Sequence, residues 1–127
     1  MTWTLLFAIA LGGAIGATAR FAAVHAIVAL AGTDWPWGTL AVNVIGSFAI
    51  GVLMEPLAAR FADSPELRGF LITGILGGFT TFSAFSLETI ALLQRGALGP
   101  AMAYVGASVV LSLSATIAGI WSARGLS

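Results

Sequence analysis

Four long apolar stretches separated by short polar connectors organise the chain. The first runs from Leu5 to Ala31 and carries Arg20 and His25, and the second from Thr39 to about Met54, just before Glu55 and Pro56. The third extends from Gly69 to about Leu93 and contains Glu88, and the fourth from Met102 to Trp121. A helix crosses a hydrocarbon core about 30 Å thick with roughly 20 apolar residues, so each stretch predicts one membrane span. The connectors carry turn chemistry. Gly32 to Trp37 holds Asp34, Pro36 and two tryptophans, which suits an interfacial turn. Arg60 to Arg68 is the markedly polar one, where Ser64 before Pro65 and Glu66 predicts an N-cap with proline at the first helical position. Gln94 to Pro100 contains the breakers Gly96, Gly99 and Pro100. Nothing resembles an interdomain linker, and residues 1–127 read as one transmembrane domain.

The third stretch is interrupted at its middle by Gly-Ile-Leu-Gly-Gly-Phe-Thr-Thr-Phe-Ser-Ala-Phe, Gly74 to Phe85. Paired glycines weaken a helix through their backbone entropy. Thr80, Thr81 and Ser83 offer the backbone competing hydrogen bonds. Non-helical backbone at membrane depth survives only where protein buries it or where it lines a wet or ion-bearing cavity. The break therefore predicts an ion or substrate site.

Composition fixes the solvent and removes several functions. Hydrophobic residues make up 59% of the chain and charged ones 8%, so the expected class is an all-α membrane protein. There is no cysteine and one histidine, which excludes disulfides, thiolate metal sites and a histidine-built catalytic metal site. There is no lysine, the net charge is zero, and no basic patch exists for nucleic acid. No nucleophile–base pair is visible, so the chain does not read as an enzyme. The first apolar run lacks a basic leading region and is too long for a signal peptide; it reads as the first span. With four spans, Arg60, Arg68 and Arg124 share one side, against Arg95, plus Arg20 if it snorkels outward. Arginine bias sets orientation, and three against two is compatible with insertion both ways.

The helix faces supply candidate chemistry. Gly12, Gly16 and Arg20 share one stripe, either a packing face of small residues or a wall that turns Arg20 toward a water-filled vestibule. Asn43, Ser47 and Gly51 share another, with Thr39 one turn earlier. The Asn43 amide serves as interhelical glue or offers donors to a desolvated anion. Tyr104, Ser108, Ser112 and Thr116 recur every four residues, either back-bonding to their own helix or forming a ladder of donors along an anion path. Phe79, Phe82 and Phe85 recur every three residues. Such rings pack in bundles, or turn their electropositive edges toward an anion. Carbonyls freed by the break suit a hard cation such as sodium.

Three motifs in order, Gly12-Gly13 with Gly16 and Arg20, Trp37 to Phe48 (Trp-Gly-Thr-Leu-Ala-Val-Asn-Val-Ile-Gly-Ser-Phe) and Gly77 to Phe85, resemble the Fluc/CrcB fluoride channels over essentially the whole chain. That resemblance implies four transmembrane helices with a broken third, assembled as an antiparallel, dual-topology homodimer in the plasma membrane, the inner membrane of a bacterium. It implies two fluoride pathways built from both subunits. Phe82 and Phe85 match its facing rings, Asn43 its amide donor, and Tyr104, Ser108 and Ser112 its polar track. Thr81 lines the track near the break; Thr39, one turn before Asn43, is also placed on the path, and Thr116 is added by periodicity alone. Gly77 and Thr80 match main-chain carbonyls that hold a structural sodium ion on the dimer twofold axis. Arg20 and Glu88 fall near aqueous entrances. The implied partners are fluoride, membrane lipid and a second copy, and the implied function is passive fluoride export that relieves toxicity. Two alternatives differ in class. A small proton-coupled exporter needs an acidic residue in its first span, and Leu5 to Ala31 has none. A non-transporting assembly subunit leaves the break and the hydroxyls without a purpose.

Overall fold

The computed structural model describes residues 1–126, and among them every regular element is helical. Helix α1 spans Trp3–Ala31; the Thr2 hydroxyl caps it by accepting from the Leu5 N–H at 3.1 Å, and Gly32 ends it at φ +81°. Helix α2 spans Trp37–Arg60. The third span is composite: α3 at Pro65–Arg68, a π-helical segment at Gly69–Leu76, α4 at Gly77–Phe79, and α5 at Phe82–Gln94. Gly96, at φ +75°, turns the chain into α6, Leu98–Gly125. Four helical stretches, Trp3–Ala31, Trp37–Arg60, Pro65–Gln94 and Leu98–Gly125, are long and apolar enough to cross a membrane. The chain is a multi-pass membrane protein.

Helices run past the apolar stretches read from sequence, most at the second and fourth. Pro56 lies inside α2, which continues for another turn to Arg60. A proline there forfeits one ladder bond, but Leu57 is buried and Glu55 is held to α6 by Arg124. Gly99 and Pro100 start α6 instead of breaking it. Proline has no N–H, and first-turn N–H groups lack an intrahelical acceptor anyway.

Two backbone-to-backbone seams hold the bundle. Helix α2 lies along α6, where a Cβ on Gly51 would strike the Thr116 carbonyl and one on Gly119 the Phe48 carbonyl. Helix α1 lies along the π segment, where a Cβ on Gly12 or Gly16 would strike the Phe70 or Ile75 carbonyl. The π geometry has a packing cause. Gly69 and Gly74 are five residues apart, so an α-helix would point them about 140° apart. Bonding from i to i+5 sets residue i+5 close above residue i, so both glycines face α1. Gly69 meets Leu5 and Ile9, and a Cβ on Gly74 would lie 2.8 Å from the Gly12 Cα. A buried cluster of Leu40, Leu92, Ala101 and Tyr104 closes the end near the Gly32–Pro36 turn.

The break falls at the threonines and not at the glycine pair. Gly77 and Gly78 are helical, while Thr80 (φ −88°, ψ 156°) and Thr81 (φ −153°, ψ 116°) are extended. Gly78 stays small because a Cβ there would lie 2.7 Å from the Gly13 carbonyl oxygen. Extended backbone suits β-branched threonine, and Thr81 then caps α5 through its hydroxyl, which accepts from the Ala84 N–H at 3.1 Å.

Candidate functional site

Asn43 on α2 holds the broken backbone by both of its amide atoms. Its Oδ1 accepts from the Thr81 N–H at 2.7 Å, and its Nδ2 donates to the Thr81 carbonyl at 3.0 Å. The second amide hydrogen stays available. In an unbroken helix the Thr81 N–H would bond the Gly77 carbonyl, so the clamp takes away the partner of that oxygen. Thr80 keeps its N–H on the Leu76 carbonyl at 3.0 Å, with its hydroxyl on the same oxygen at 2.9 Å. The Thr80 methyl sits over Gly46, where a Cβ would collide with it. Gly46 is a site-shaping residue that the sequence reading missed; its spacing of three from Asn43 is the signal that would have found it.

A groove of about 460 Å³ opens beside the break. Asn43 and Ser47 line it from α2, Gly77, Thr80, Thr81, Phe82 and Phe85 from the third span, and Ser108 and Ser112 from α6. The sequence thus marked residues from three helices that converge on one space. Phe82 is 78% exposed at the rim, with its ring centroid 5.3 Å from that of Phe85 at an interplanar angle of 53°. The Ser108 hydroxyl is buried and has no hydrogen-bond partner among the described residues. Buried polar groups are nearly always paired, so an orphaned donor lining a groove beside other polar groups points to a ligand.

The four-residue hydroxyl stripe of α6 divides. Ser108 and Ser112 face the groove. The Thr116 hydroxyl instead reaches the Ser47 and Ser112 carbonyls, both at 3.1 Å, and bonds α6 to α2. Tyr104 is fully buried and donates to Glu88 Oε2 at 2.9 Å, while Thr39 donates to Oε1 at 2.7 Å. Thr39 and Tyr104 therefore meet at Glu88 and not in the groove. The Tyr104 ring stands 5.2 Å from Phe85, centroid to centroid, so the groove and this carboxylate share one aromatic wall.

Arg20 turns inward. Its Nε donates to the Gly78 carbonyl at 2.9 Å, an oxygen whose helical partner the break removes. Residue 20 lies only about 4.5 Å along the axis from the middle of α1, at 1.5 Å per residue. A cation suits the C-terminal end of the half-helix ending at Phe79. The connectors and helix ends thus carry Arg60, Arg68 and Arg124 at one end and Arg95 at the other, a larger imbalance than an outward Arg20 would give. His25 is exposed on α1 beside Phe21.

A family model described as "CrcB-like protein, Camphor Resistance (CrcB)" matches residues 7–120. Among similar proteins, one from Agrobacterium fabrum is 52% identical over 118 residues, covering 93% of this chain and 94% of its own. Another, from Chelativorans sp., is 54% identical over 121 residues, covering 95% and 97%. A third, from Rhizobium etli, is 53% identical over 120 residues, covering 94% and 96%. All three are named fluoride-specific ion channel FluC.

Proposed function

The chain belongs to the CrcB family, and on that premise we propose that it is a fluoride-selective channel that lets fluoride leave the cytoplasm passively. The observation that carries this is the groove, where an unpartnered Ser108 hydroxyl, the Asn43 amide and the two phenyl rings converge. Fluoride is small and strongly hydrated, so a path must replace its water with donors. Ser108, Ser112 and the spare Asn43 hydrogen supply N–H and O–H groups, and the edges of Phe82 and Phe85 supply electropositive C–H. A narrow track excludes the larger chloride by size.

Beyond the rings, Thr39 and Tyr104 hold two more hydroxyls, both engaged with Glu88. Fluoride arriving there competes with the carboxylate as acceptor for the same donors. The path proceeds from the groove, past Phe85, to this hydroxyl pair. Transport follows the electrochemical gradient and needs no catalytic step.

The groove holds a few polar groups, Asn43, Thr81, Ser108 and Ser112 among them, in a mostly apolar lining that includes exposed Phe82, Val109 and Leu113. Polar surface turned to lipid is costly, so a second, oppositely oriented copy closing the groove accounts for both features and makes two paths per dimer. Sodium fits the residues present at the break. Gly77 is exposed with its carbonyl out of the helical ladder, and Thr80 lines the same groove. Two carbonyls from one chain cannot surround a cation; together with those of a second copy they would hold it. Bound sodium supplies positive charge that neutralises the converging oxygens.

Bacteria stripped of their own fluoride exporters and expressing this chain should grow in acidic medium with fluoride, where hydrogen fluoride enters and ionises inside. Phe82→Ile should lose that protection at equal expression. Growth no better than that of the empty-vector strain would count against the export reading.

A further inference from the structure

A second cavity, of about 380 Å³, lies under the Gly32–Pro36 turn. Thr39 and Glu88 line it and neither lines the groove, so the hydroxyl–carboxylate cluster separates the two spaces. Arg95 lines the same cavity seven residues beyond Glu88. That spacing is two helical turns, on one face and about 10 Å along the axis. The Arg95 Nη2 donates to the Asp34 main-chain carbonyl at 3.4 Å, which brings the guanidinium to the interfacial turn. Asp34 also lines the cavity, so its lining carries two carboxylates, Glu88 and Asp34, and one cation.

We propose that this cavity is the aqueous mouth of the fluoride path at the turn end, with Arg95 as its anion-attracting residue and Asp34 opposing it. The inference rests on the channel reading above. An anion that reaches the Thr39–Tyr104 hydroxyl pair from the groove has this cavity ahead of it. Two carboxylates without a cation would repel it; Arg95 offsets that field along the last two turns of α5. A unit charge at about 10 Å changes anion occupancy roughly two-fold in a water-like dielectric and roughly fifteen-fold at an effective dielectric of 20. Arg95 therefore acts on entry and exit rates and not on selectivity, which belongs to the rings and hydroxyls deeper in.

The test measures fluoride efflux from liposomes at about 10 mM and about 1 M ionic strength, where the Debye length falls from about 30 Å to about 3 Å. Arg95→Gln should slow efflux by three- to ten-fold at low ionic strength and approach wild type at high. Arg95→Lys should restore the rate, and Asp34→Asn should raise it at low ionic strength. An active wild type with Arg95→Gln unchanged at low ionic strength overturns the mouth alone. So does an equal deficit at both ionic strengths, which would assign Arg95 to packing of the turn. A wild type that passes no fluoride overturns the channel reading and this inference with it.

Discussion

Asn43 and Ser108 sit in one groove, yet their side chains stand in opposite hydrogen-bonding states, and that difference separates their expected mutant effects. Asn43→Ala strips partners from both the Thr81 N–H and carbonyl, and each unsatisfied buried group costs about 1–3 kcal/mol. It should lower the melting temperature in detergent as well as the flux. Ser108→Ala removes a hydroxyl with no partner among the described residues, so the fold loses nothing. Melting should be unchanged or slightly raised while fluoride flux falls by about ten-fold, the value of roughly 1.4 kcal/mol of lost contact to the ion. A Ser108→Ala protein with unaltered flux would remove that hydroxyl from the path. Both residues were visible in the sequence as polar positions on helical stripes. The Thr81 partners of Asn43 and the lack of any for Ser108 among the described residues were not, because each depends on which helix lies opposite. Periodicity alone could not tell Ser108 from Thr116, whose hydroxyl is used in bonding α6 to α2.

The glycine seam between α1 and the π segment controls how the third span is built. Gly12 and Gly13 are neighbours with different surroundings: a Cβ on Gly12 strikes the Phe70 carbonyl, while one on Gly13 meets nothing within 4 Å. Gly12→Ala should destabilise by about 1–3 kcal/mol, because carbonyl backbone cannot move aside as a side chain can. Gly13→Ala should be neutral or stabilising by up to about 1 kcal/mol, the helix-propensity gain over glycine. Thermal unfolding of both variants in the same detergent gives the comparison, and equal melting shifts would contradict the seam. Four helices, their order and the existence of a break were legible from hydropathy and from the Gly-Gly and Thr-Thr pairs. The π segment was not, because it answers to the spacing of Gly69 and Gly74 against α1, a tertiary demand. The break lies two residues beyond the glycine pair for the same kind of reason: α1 needs Gly78 small, and Asn43 supplies hydrogen bonds only where Thr81 sits.

At the scale of the molecule, Arg20 changes the charge count that governs insertion. Bonded to Gly78 near the middle of α1, it belongs to neither surface, leaving three arginines at one end and Arg95 at the other. The opposed copies proposed above would have to form despite this bias. Tags on both termini of the expressed chain are expected to be labelled from both faces of the membrane, and labelling from a single face would rule out opposed copies. The conducting path itself is tested most directly by one efflux measurement. Liposomes carrying the purified protein and loaded with fluoride and chloride are given a potassium ionophore to dissipate the membrane potential, and both anions are followed outside. The groove of Asn43, Phe82, Phe85, Ser108 and Ser112 predicts rapid fluoride release with chloride retained. Fluoride held inside, or chloride released alongside it, would contradict the account.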